Sequence, residues 1–520
     1  MPARNLSLSG PSREVTTALA ALRESLAIPQ EFPSDVLAQA ADGQTLLDAA
    51  LADPARQDRR SIPLITIDPP GSMDLDQAVH IERQNNAGYT VHYAIADVAY
   101  FVPAGSAIDR ESYLRGTTIY GPDYRTPLHP PALSEGVASL LPDQDRPAAL
   151  WTITLSKKGE ITSAFVERAI VRSTARWTYD EVQDVLDAAG GEEAPNPNTS
   201  TPIPETVYLL KTVGTLRQEA ERRRGGVSLN VPEQEVFQDP DTGEFSLAFR
   251  GLVPTEGWNA QISLLTGIAG AQIMREAGIG IFRTLPPADP RDLKRLRRTA
   301  AALGITWNAD QSYGQVLDSL DATNPKHAAF LNEATTLFRG AGYHAFGIPG
   351  PADDNGQPGP IVTLPAHPGS PKTLTRHAAI AAEYAHITAP LRRLVDRAGT
   401  EVCLAHCAGQ AVPEWVYQAL PLLPAAMTSA IKKASSFERQ CVSIVEAALL
   451  VGREGEQFSA VTVDTILAKG ATQAHRGEVV IDDPAIRARV DGDNLELGAR
   501  VTVTLTEASI AEGKVRFATS

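Results

Sequence analysis

Three aspartates follow an apolar, β-branched run and have the spacing of a metal-binding cluster. Asp68 ends the run LITID, and Asp74 and Asp76 come after a Pro-Pro-Gly turn. Asp74 and Asp76 are two residues apart, so in an extended chain they point to one side, and a turn that folds back brings Asp68 near them. Carboxylates this close raise one another's pKa unless a cation neutralises them. Their hard oxygens suit Mg²⁺, with Mn²⁺ as a substitute, and predict metal-assisted phosphoryl transfer.

The spacing alone leaves two questions open. Asp, Pro, Gly and Ser are common turn residues, so an ordinary acidic turn explains the same letters. If the cluster does bind metal, the residues do not separate a nuclease from a polymerase or a phosphatase.

The elements that must position these aspartates change type along the chain. Strands are predicted from about 61 to 170, in the runs SIPLITID, QAVHIER, YTVHYAIADVAYFV, AALWTITLS and ITSAFVERAIVRS. A Gly-, Pro- and acid-rich linker follows at 188–205, and helices such as QISLLTGIAGAQIMREAG and RHAAIAAEYA dominate to about 450. The segment 345–369 is too rich in Pro and Gly for regular structure. Five short strands in the tail suggest a small barrel of the OB type.

These patterns predict an α+β multidomain chain with a central α/β region. We expect a small N-terminal helical domain at 1–57, a central catalytic domain at 58–450 and an OB-fold barrel at 454–520. A helix-turn-helix module is one interpretation of the N-terminal helices, although no basic recognition face is evident.

Composition limits the function classes. The 520 residues carry a formal charge of −15, which excludes a polybasic nucleic-acid binder but not a local basic channel. Cys403, Cys407 and Cys441 lack CxxC spacing, and only His406 lies near the first two, so free thiols are favoured over zinc. No run has the length of a signal peptide or a spanning helix. We therefore expect a soluble cytoplasmic protein, with no membrane association.

Several long motifs resemble the exoribonuclease II (RNB) family. They are TIDPPGSMDLDQAVHIER, the region from HYAIADVAYFV to LLPDQDRPA, ARWTYDEVQDVLD, RRRGGVSLNVPE and YAHITAPLRRLVDR, which together cover most of 60–450. The resemblance implies an RNB catalytic domain that degrades RNA from its 3′ end and releases 5′-monophosphates. The family's usual pair of N-terminal cold-shock barrels has no counterpart in residues 1–57, which look helical.

The resemblance also implies roles for single residues of the acidic motif. Asp68, Asp74 and Asp76 match acidic positions that hold Mg²⁺, and Asp76 matches the one most critical for catalysis. Gln77 stands where the family usually has a fourth aspartate, so it offers a carbonyl oxygen without the charge.

Further residues match positions that contact RNA. Tyr120 matches a tyrosine that stacks on the last bases, and Arg392 matches the arginine that grips the scissile phosphate. Arg393 beside it is predicted to bind RNA, and Asp396 is expected to orient one of the neighbouring arginines. Glu438 matches a glutamate near the 3′ nucleotide.

Other positions depart from the family pattern. Gln261 and Gly267 replace residues of a helix that would contact ribose, and the second stacking aromatic has no secure counterpart. The tail barrel, with a net charge of −3 over 456–520, is expected to guide RNA without anchoring it.

The resulting prediction is an Mg²⁺-dependent, near-processive 3′→5′ exoribonuclease on single-stranded RNA, acting as a monomer with no obligate protein partner. The alternatives are a catalytically weak RNA-binding member of the same family, which Gln77 motivates, and another metal-dependent phosphoryl-transfer enzyme.

Overall fold

The structure is a computed structural model. It describes residues 12–85, 88–190, 203–228, 233–238, 245–251, 253–321, 324–350, 359–364, 375–466, 475–481, 485–493 and 495–519. The helices are α1 Ser12–Ser25, α2 Ser34–Ala41, α3 Gly43–Ala52, α4 Val98–Phe101, α5 Ala107–Arg115, α6 Tyr179–Ala188, α7 Glu205–Arg224, α8 Pro254–Ala277, α9 Pro290–Leu303, α10 Tyr313–Asp318, α11 Pro325–Ala334, α12 Val395–Cys407, α13 Glu414–Ala419 and α14 Leu423–Leu450. A π-helical turn spans Ala132–Val137 and a 3₁₀ turn Thr335–Phe338.

The strands are β1 Gln57–Asp58, β2 Leu64–Asp68, β3 Gln77–Arg83, β4 Tyr89–Ala96, β5 Ile119–Tyr120, β6 Arg125–Thr126, β7 Asp145–Leu155, β8 Ile161–Thr178, β9 Glu233–Gln238, β10 Phe245–Arg250, β11 Gly280–Thr284, β12 Gly342–Phe346, β13 Arg376–His377, β14 Ala382–Glu383, β15 Gln457–Ile466, β16 Arg476–Ile481, β17 Ile486–Asp491, β18 Arg500–Ser509 and β19 Lys514–Thr519. The mixed α+β content confirms the predicted fold class.

A six-stranded sheet in the order β1-β8-β2-β3-β4-β7 forms the centre of the catalytic region. β2 runs parallel to β8 and antiparallel to β3. β4 is buried on both faces, and only His92 in it is partly exposed. Helices α7, α8 and α12 pack on this sheet in one core that includes Trp151, Leu209 and Ile262.

The tail forms a closed five-stranded barrel in the order β15-β16-β17-β19-β18. Its strands pair antiparallel except for β17 and β19, which are parallel. Alternate residues such as Phe458, Val503 and Phe517 fill the interior, as the period of two requires. The predicted OB-type barrel is confirmed.

The N-terminal helices have the expected type, but among the described residues they join two different cores. Val15 and Leu19 of α1 pack with α14 and the barrel, whereas Val36 and Leu47 of α2 and α3 pack on the catalytic sheet. The three helices therefore share the cores of other regions.

Some predicted elements differ from the structure. Residues 376–385, predicted as helix, form the β13–β14 hairpin, whose turn holds Ala381 at a φ of 54°. The run YTVHYAIADVAYFV begins as β4 but ends in the short helix α4. The β9–β10 hairpin was not predicted from the sequence. Most of the linker 188–205 and much of the loop 345–369 lie outside the described residues.

All three cysteines are free thiols in the structure, and Cys403 and Cys441 are buried. No helix in the described ranges is both long and apolar enough to cross a membrane.

Candidate active site

A tight turn places Asp68 beside the start of β3. Gly71 has a φ of 80°, and the Ser72 N–H donates to the Pro69 carbonyl oxygen at 3.2 Å. Proline followed by a left-handed glycine is the signature of a type II turn. The chain then continues through residues 73–75, where the Ser139 hydroxyl donates to the Met73 carbonyl oxygen (2.7 Å) and accepts from the Leu75 N–H (3.0 Å). The turn and this clamp fix the direction of the acidic segment.

Asp76 is the most enclosed of the three aspartates, with 3 % of its surface exposed. Its Oδ1 accepts the Leu391 N–H at 2.7 Å, and its Oδ2 lies 3.5 Å from Arg392 Nε. Burial raises the pKa of the Asp76 carboxyl well above its usual range, and the negative charges of Asp396 and Asp74 act in the same direction. The site therefore holds a carboxylate that needs more positive charge than its neighbours supply.

Asp68 is short of partners as well. Its Oδ2 is buried and has no hydrogen-bond partner among the described residues. Burial raises the pKa of the Asp68 carboxyl to about 6, Asp74 adds to the rise, and Arg392 and Arg176 oppose it. A buried carboxylate oxygen without a donor is costly unless a cation binds there.

Asp74 has a different environment because an arginine holds it. Arg125 Nη1 lies 2.6 Å from Asp74 Oδ1, and the same guanidinium also binds Glu135. The metal-binding role predicted for Asp74 stays a prediction.

Arg392 and Arg393 sit on a segment that is tied to the residues after α5. The Arg392 carbonyl oxygen accepts the Thr118 N–H at 3.0 Å, and Leu394 N–H donates to the Gly116 carbonyl oxygen at 3.0 Å. These bonds bring Arg392 to the acidic segment from the opposite side.

The two adjacent arginines have different partners. The Arg392 side chain is 48 % exposed and its nearest carboxylate is Asp76. Arg393 makes two hydrogen bonds to Asp396, at 3.0 and 2.8 Å, and Asp396 also accepts the Ala389 N–H at 2.7 Å. The expectation that Asp396 orients a neighbouring arginine agrees with this geometry, whereas the RNA contact of Arg393 stays a prediction.

Gln77 begins β3 and its amide nitrogen donates to the Thr388 carbonyl oxygen. It thereby links the acidic motif to the segment that carries Arg392. An aspartate could not make this bond, because an ionised carboxylate only accepts. The predicted metal contact through the amide oxygen stays a prediction.

Tyr120 lies on the short β5–β6 hairpin, directly opposite Arg125. Its residue surface is 51 % exposed. Partial burial, together with Asp74, raises the pKa of the Tyr120 phenol to about 12, and Arg392 opposes the rise. The ring is therefore open to a ligand at the edge of the acidic cluster.

Several residues near the site were not found by the sequence reasoning. The Tyr179 hydroxyl accepts from Asn259 Nδ2 at 3.4 Å, and burial raises the pKa of the Tyr179 phenol, with Asp68 adding to the rise. Arg176 lies on β8, where it pairs in register with Thr66, and reaches Met73 Sδ at 3.7 Å. Arg176 and Tyr179 both lie in the motif ARWTYDEVQDVLD, which was their only signal in the sequence.

Gln261 and Glu438 lie apart from the acidic cluster. Gln261 is buried in α8 and its amide donates to the Glu221 carboxylate. Gly267 lies against the Tyr384 ring, where an added Cβ would come within 2.1 Å. Glu438 is exposed on α14, directly after Phe437, which contacts the hairpin of Tyr120. Its predicted RNA contact stays a prediction.

The acidic cluster offers an incomplete set of ligands for a metal ion. Within the described part of the chain, no group of three or more His, Cys, Asp or Glu side chains is arranged to hold one. Asp68 and Asp76 nevertheless offer buried carboxylate oxygens with a deficit of positive charge. Mg²⁺ often takes one or two carboxylates and completes its shell with water and substrate phosphates. The residues present fit an ion of that kind.

The sequence matches the profiles of two known protein domains. The sequence profile of the RNB domain matches residues 56–399, and that of the RNase II-type exonuclease C-terminal S1 domain matches residues 456–520. Ribonuclease R of Chlamydia trachomatis serovar D is 26 % identical over 401 residues, which cover 76 % of this chain and 52 % of that protein. The chain thus spans about half the length of such curated relatives.

Solved structures resemble the whole fold. RNase R of Mycoplasma genitalium, in complex with ribose methylated single-stranded RNA, matches with a TM-score of 0.80 at 20 % identity and covers 98 % of this chain and 79 % of that chain. Yeast Ssd1, described as a pseudonuclease, matches with a TM-score of 0.62 at 14 % identity and covers 95 % of this chain and 57 % of that chain.

Proposed function

We propose that this chain, which belongs to the RNB family, is an exoribonuclease that hydrolyses single-stranded RNA from its 3′ end to 5′-mononucleotides. The observation that carries the proposal is the pair formed by Asp76 and Arg392. The buried Asp76 carboxylate lies 3.5 Å from the half-exposed Arg392 guanidinium. Arg392 also acts on the carboxylate of Asp68, whose buried Oδ2 has no hydrogen-bond partner among the described residues. Metal-assisted phosphodiester hydrolysis uses acidic oxygens of this kind together with a phosphate-binding cation.

Tyr120 would hold the 3′ end. Its ring is exposed at the edge of the cluster, where the terminal base can stack on it. Stacking on an aromatic ring contributes about 1–3 kcal/mol per base and accepts any sequence. This contact would set the terminal phosphodiester beside Arg392.

Arg392 would bind the scissile phosphate. A planar guanidinium can donate two parallel hydrogen bonds to phosphate oxygens and balance the charge that develops during displacement. Its partner Asp76 keeps the guanidinium near the acidic oxygens but leaves half of the side chain accessible.

Asp68 and Asp76 would hold Mg²⁺, with Mn²⁺ as a substitute. When bound, such an ion supplies charge stabilisation and lowers the pKa of a coordinated water. The carboxylates orient the attacking water in line with the phosphodiester. Asp68 ends β2 and Asp76 directly precedes β3, and the Ser139 clamp on Met73 and Leu75 fixes the segment before Asp76.

The molecular context is part of the same proposal. It includes activity as a monomer, with single-stranded RNA as the partner and no obligate protein partner. Free cysteines, two of them buried, support a reducing compartment and therefore the cytoplasm.

Product chemistry tests the proposal. Purified protein is incubated with Mg²⁺ in ¹⁸O-labelled water, with linear RNA and with the same sequence as a closed circle. We expect 5′-mononucleotides carrying one ¹⁸O from the linear RNA and no products from the circle. Cleavage of the circle, or phosphate-dependent release of nucleoside diphosphates, would contradict the proposal.

The second candidate function is RNA binding with weak catalysis. Gln77 favours it, because its amide donates to Thr388 where the family usually places a carboxylate. RNA binding at nanomolar to micromolar concentration, without Mg²⁺-dependent nucleotide release, would support this second function.

A further inference from the structure

The hairpin that carries Tyr120 has a tip enclosed by the N-terminal helix. The tip is the turn Gly121–Tyr124, in which the Gly121 N–H donates to the Tyr124 carbonyl oxygen at 3.2 Å. A Cβ on Gly121 would come within 3.1 Å of both Arg23 Nη2 and Phe437 Cε1. The tip is therefore packed against α1 on one side and α14 on the other.

Arg23 of α1 makes the main polar contact with this tip. Both of its terminal nitrogens bind the Asp123 carboxylate, and the second contact measures 3.2 Å. Its guanidinium also lies 5.8 Å from the ring centre of Tyr124 and 5.4 Å from that of Phe437. The residue is only 5 % exposed, so this is an enclosed, bidentate ion pair between two aromatic rings.

The chain after α1 extends the contact. The Tyr124 hydroxyl donates to the Gln30 carbonyl oxygen at 3.1 Å, and Arg115 Nη2 donates to the Glu31 carbonyl oxygen at 2.7 Å. Arg115 also stacks on Phe32, with 3.7 Å between the guanidinium carbon and the ring centre. The hairpin tip and the end of α5, which leads into the hairpin, are thus bound to one N-terminal segment.

The other end of the hairpin is bound to the acidic cluster. Arg125, opposite Tyr120 in the register, binds Asp74 at 2.6 Å. Ile119, next to Tyr120, belongs to the core that contains α1, α14 and the barrel. A two-stranded hairpin of this length is not stable by itself, so the orientation of the Tyr120 ring depends on these attachments together with the backbone bond from Thr118 to Arg392.

We propose that α1 orients the Tyr120 hairpin through the Arg23–Asp123 pair, and that Arg23 is a positioning residue for the 3′ end of the RNA. The inference deepens the proposed function and rests on the role given there to Tyr120. Arg23 touches neither the acidic cluster nor any group that would react. Its effect is to hold the stacking ring in the place where a terminal base meets Arg392.

The experiment measures stacking without turnover. A single-stranded RNA with 2-aminopurine as its 3′-terminal base is titrated with Asp76→Asn protein, and fluorescence quenching reports the stacked base. Arg23→Gln, Asp123→Asn and Tyr120→Ala are each added to this parent. Arg13→Gln is the matched control, since Arg13 is an exposed arginine on the same helix. The affinity and the final quenching are recorded in Mg²⁺.

We expect Arg23→Gln and Asp123→Asn each to weaken binding by about 5- to 20-fold and to reduce the final quenching, within the roughly 5- to 150-fold range of one lost base stack. The double variant should bind no more weakly than either single variant, because both substitutions remove the same ion pair. Arg13→Gln should match the parent in affinity and in final quenching. In the active protein, Arg23→Gln should raise KM and leave kcat within about twofold.

Stability controls keep the test decisive. Leu47→Ala lowers stability in a different core, and it should leave quenching intact at the same loss of Tm. Full quenching with Arg23→Gln, or a loss of quenching in Leu47→Ala equal to that in Arg23→Gln, would overturn the inference. If wild-type protein stacks the probe but releases no nucleotides, the proposed hydrolysis is contradicted and this inference still holds. A parent that does not bind the probe would overturn both.

Discussion

Arg392 and Arg393 show how neighbouring residues of one type acquire different tasks. The Arg392 side chain is half exposed beside Asp76, whereas Arg393 is 22 % exposed and bound twice by Asp396. Asp396 also accepts a backbone N–H, so the Arg393 pair stabilises the turn that presents Arg392. The same substitution at the two positions should therefore affect different properties.

Arg392→Lys should lower kcat by about 10²-fold with little change in stability, because an ammonium cannot form the two parallel bonds to phosphate. Arg393→Lys should lower stability by about 1–3 kcal/mol, since it leaves part of the buried Asp396 carboxylate without a donor. Steady-state kinetics and urea unfolding of both variants measure the two effects. A stability loss in Arg392→Lys equal to that in Arg393→Lys would contradict this division of roles.

Gln77 gives a prediction about metal removal. Gln77→Asp replaces the donor to the Thr388 carbonyl oxygen with a charge beside Asp76. In EDTA we expect a stability loss of about 1–3 kcal/mol, because the carbonyl loses its donor and the carboxylates repel. Mg²⁺ should then raise the Tm of Gln77→Asp more than that of wild type. Equal Mg²⁺ shifts in the two proteins would argue against an ion beside Gln77.

At the residue scale, the sequence pointed to the carboxylates but not to their partners. The interval from Asp68 to Asp76 is short, so local spacing and turn chemistry were enough to predict that the aspartates lie near one another, and Asp74 does act on the pKa of both Asp68 and Asp76. Arg125 binds Asp74 from 51 residues away and Leu391 binds Asp76 from 315 residues away. Contacts at such separations depend on the tertiary fold, which the sequence pattern does not specify.

Among the elements, α14 connects the catalytic region to the barrel. Glu446 on this helix accepts hydrogen bonds from Gln234 of β9 at 2.7 Å and from the Arg487 N–H of β17 at 2.8 Å. Burial raises the pKa of the Glu446 carboxyl to about 7, and the hydrogen bonds oppose the rise. Neither contact was predicted, because the β9–β10 hairpin was missed and Arg487, although on a predicted strand, meets Glu446 only through the tertiary fold.

Glu446 predicts a pH dependence of stability. The folded protein holds the Glu446 proton more tightly than the unfolded chain, whose glutamates titrate near 4.3. The resulting stabilisation is complete below about pH 4 and is lost as the pH rises through 7, up to roughly 3 kcal/mol. Glu446→Gln should therefore be more stable than wild type at pH 8 and equal to it near pH 4.5.

Urea unfolding of both proteins from pH 4.5 to 8 measures this difference. Glu454→Gln is the control, since Glu454 is exposed in the loop after α14 and should follow the wild-type curve. A Glu446→Gln curve parallel to wild type over the whole range would contradict the assignment.

The wrong prediction of a helix at 376–385 has a physical cause. Residues 376–385 are rich in alanine and other good helix formers, which favours a helix locally. The structure instead pairs Arg376 with Glu383 across a turn, and Glu383 binds Arg275 of α8. Tertiary contacts therefore outweighed a weak local preference.

At the scale of the molecule, the barrel and the catalytic region share one core. Phe437 and Val445 of α14, Leu19 of α1 and Phe517 of the barrel belong to the same apolar cluster. The boundary placed at about 450 from the sequence did not indicate this shared core, because composition carries no information about side-chain packing across a boundary.

Removing residues 456–520 should therefore prevent native folding of the remainder. The deletion exposes the apolar faces of α1 and α14, each large side chain costing about 1.5–3 kcal/mol when it loses burial. We expect a large fall in Tm and rapid proteolysis within α1. Limited proteolysis and circular dichroism of the truncated protein, with full-length protein as the control, measure this. A truncated protein with wild-type Tm would contradict the shared core.

The net charge of −15 also has a structural interpretation. Some basic side chains outside the acidic cluster are paired with carboxylates: Arg223 binds Glu160 at 2.7 Å and Arg295 binds Glu333 at 2.7 Å. Arg392 keeps an exposed guanidinium beside the acidic cluster. RNA binding is therefore expected to depend on a threaded 3′ end more than on diffuse attraction.

The most direct test of the central claim is a time course on 5′-labelled single-stranded RNA in Mg²⁺, with wild type and Asp76→Asn side by side. Asn keeps the side-chain volume and the oxygen that accepts the Leu391 N–H, but it removes the charge beside Arg392. The account predicts stepwise shortening from the 3′ end by wild type, at least about 10³-fold slower shortening by Asp76→Asn, and equal RNA binding by both. Equal rates of shortening, or intact RNA with wild type, would contradict it.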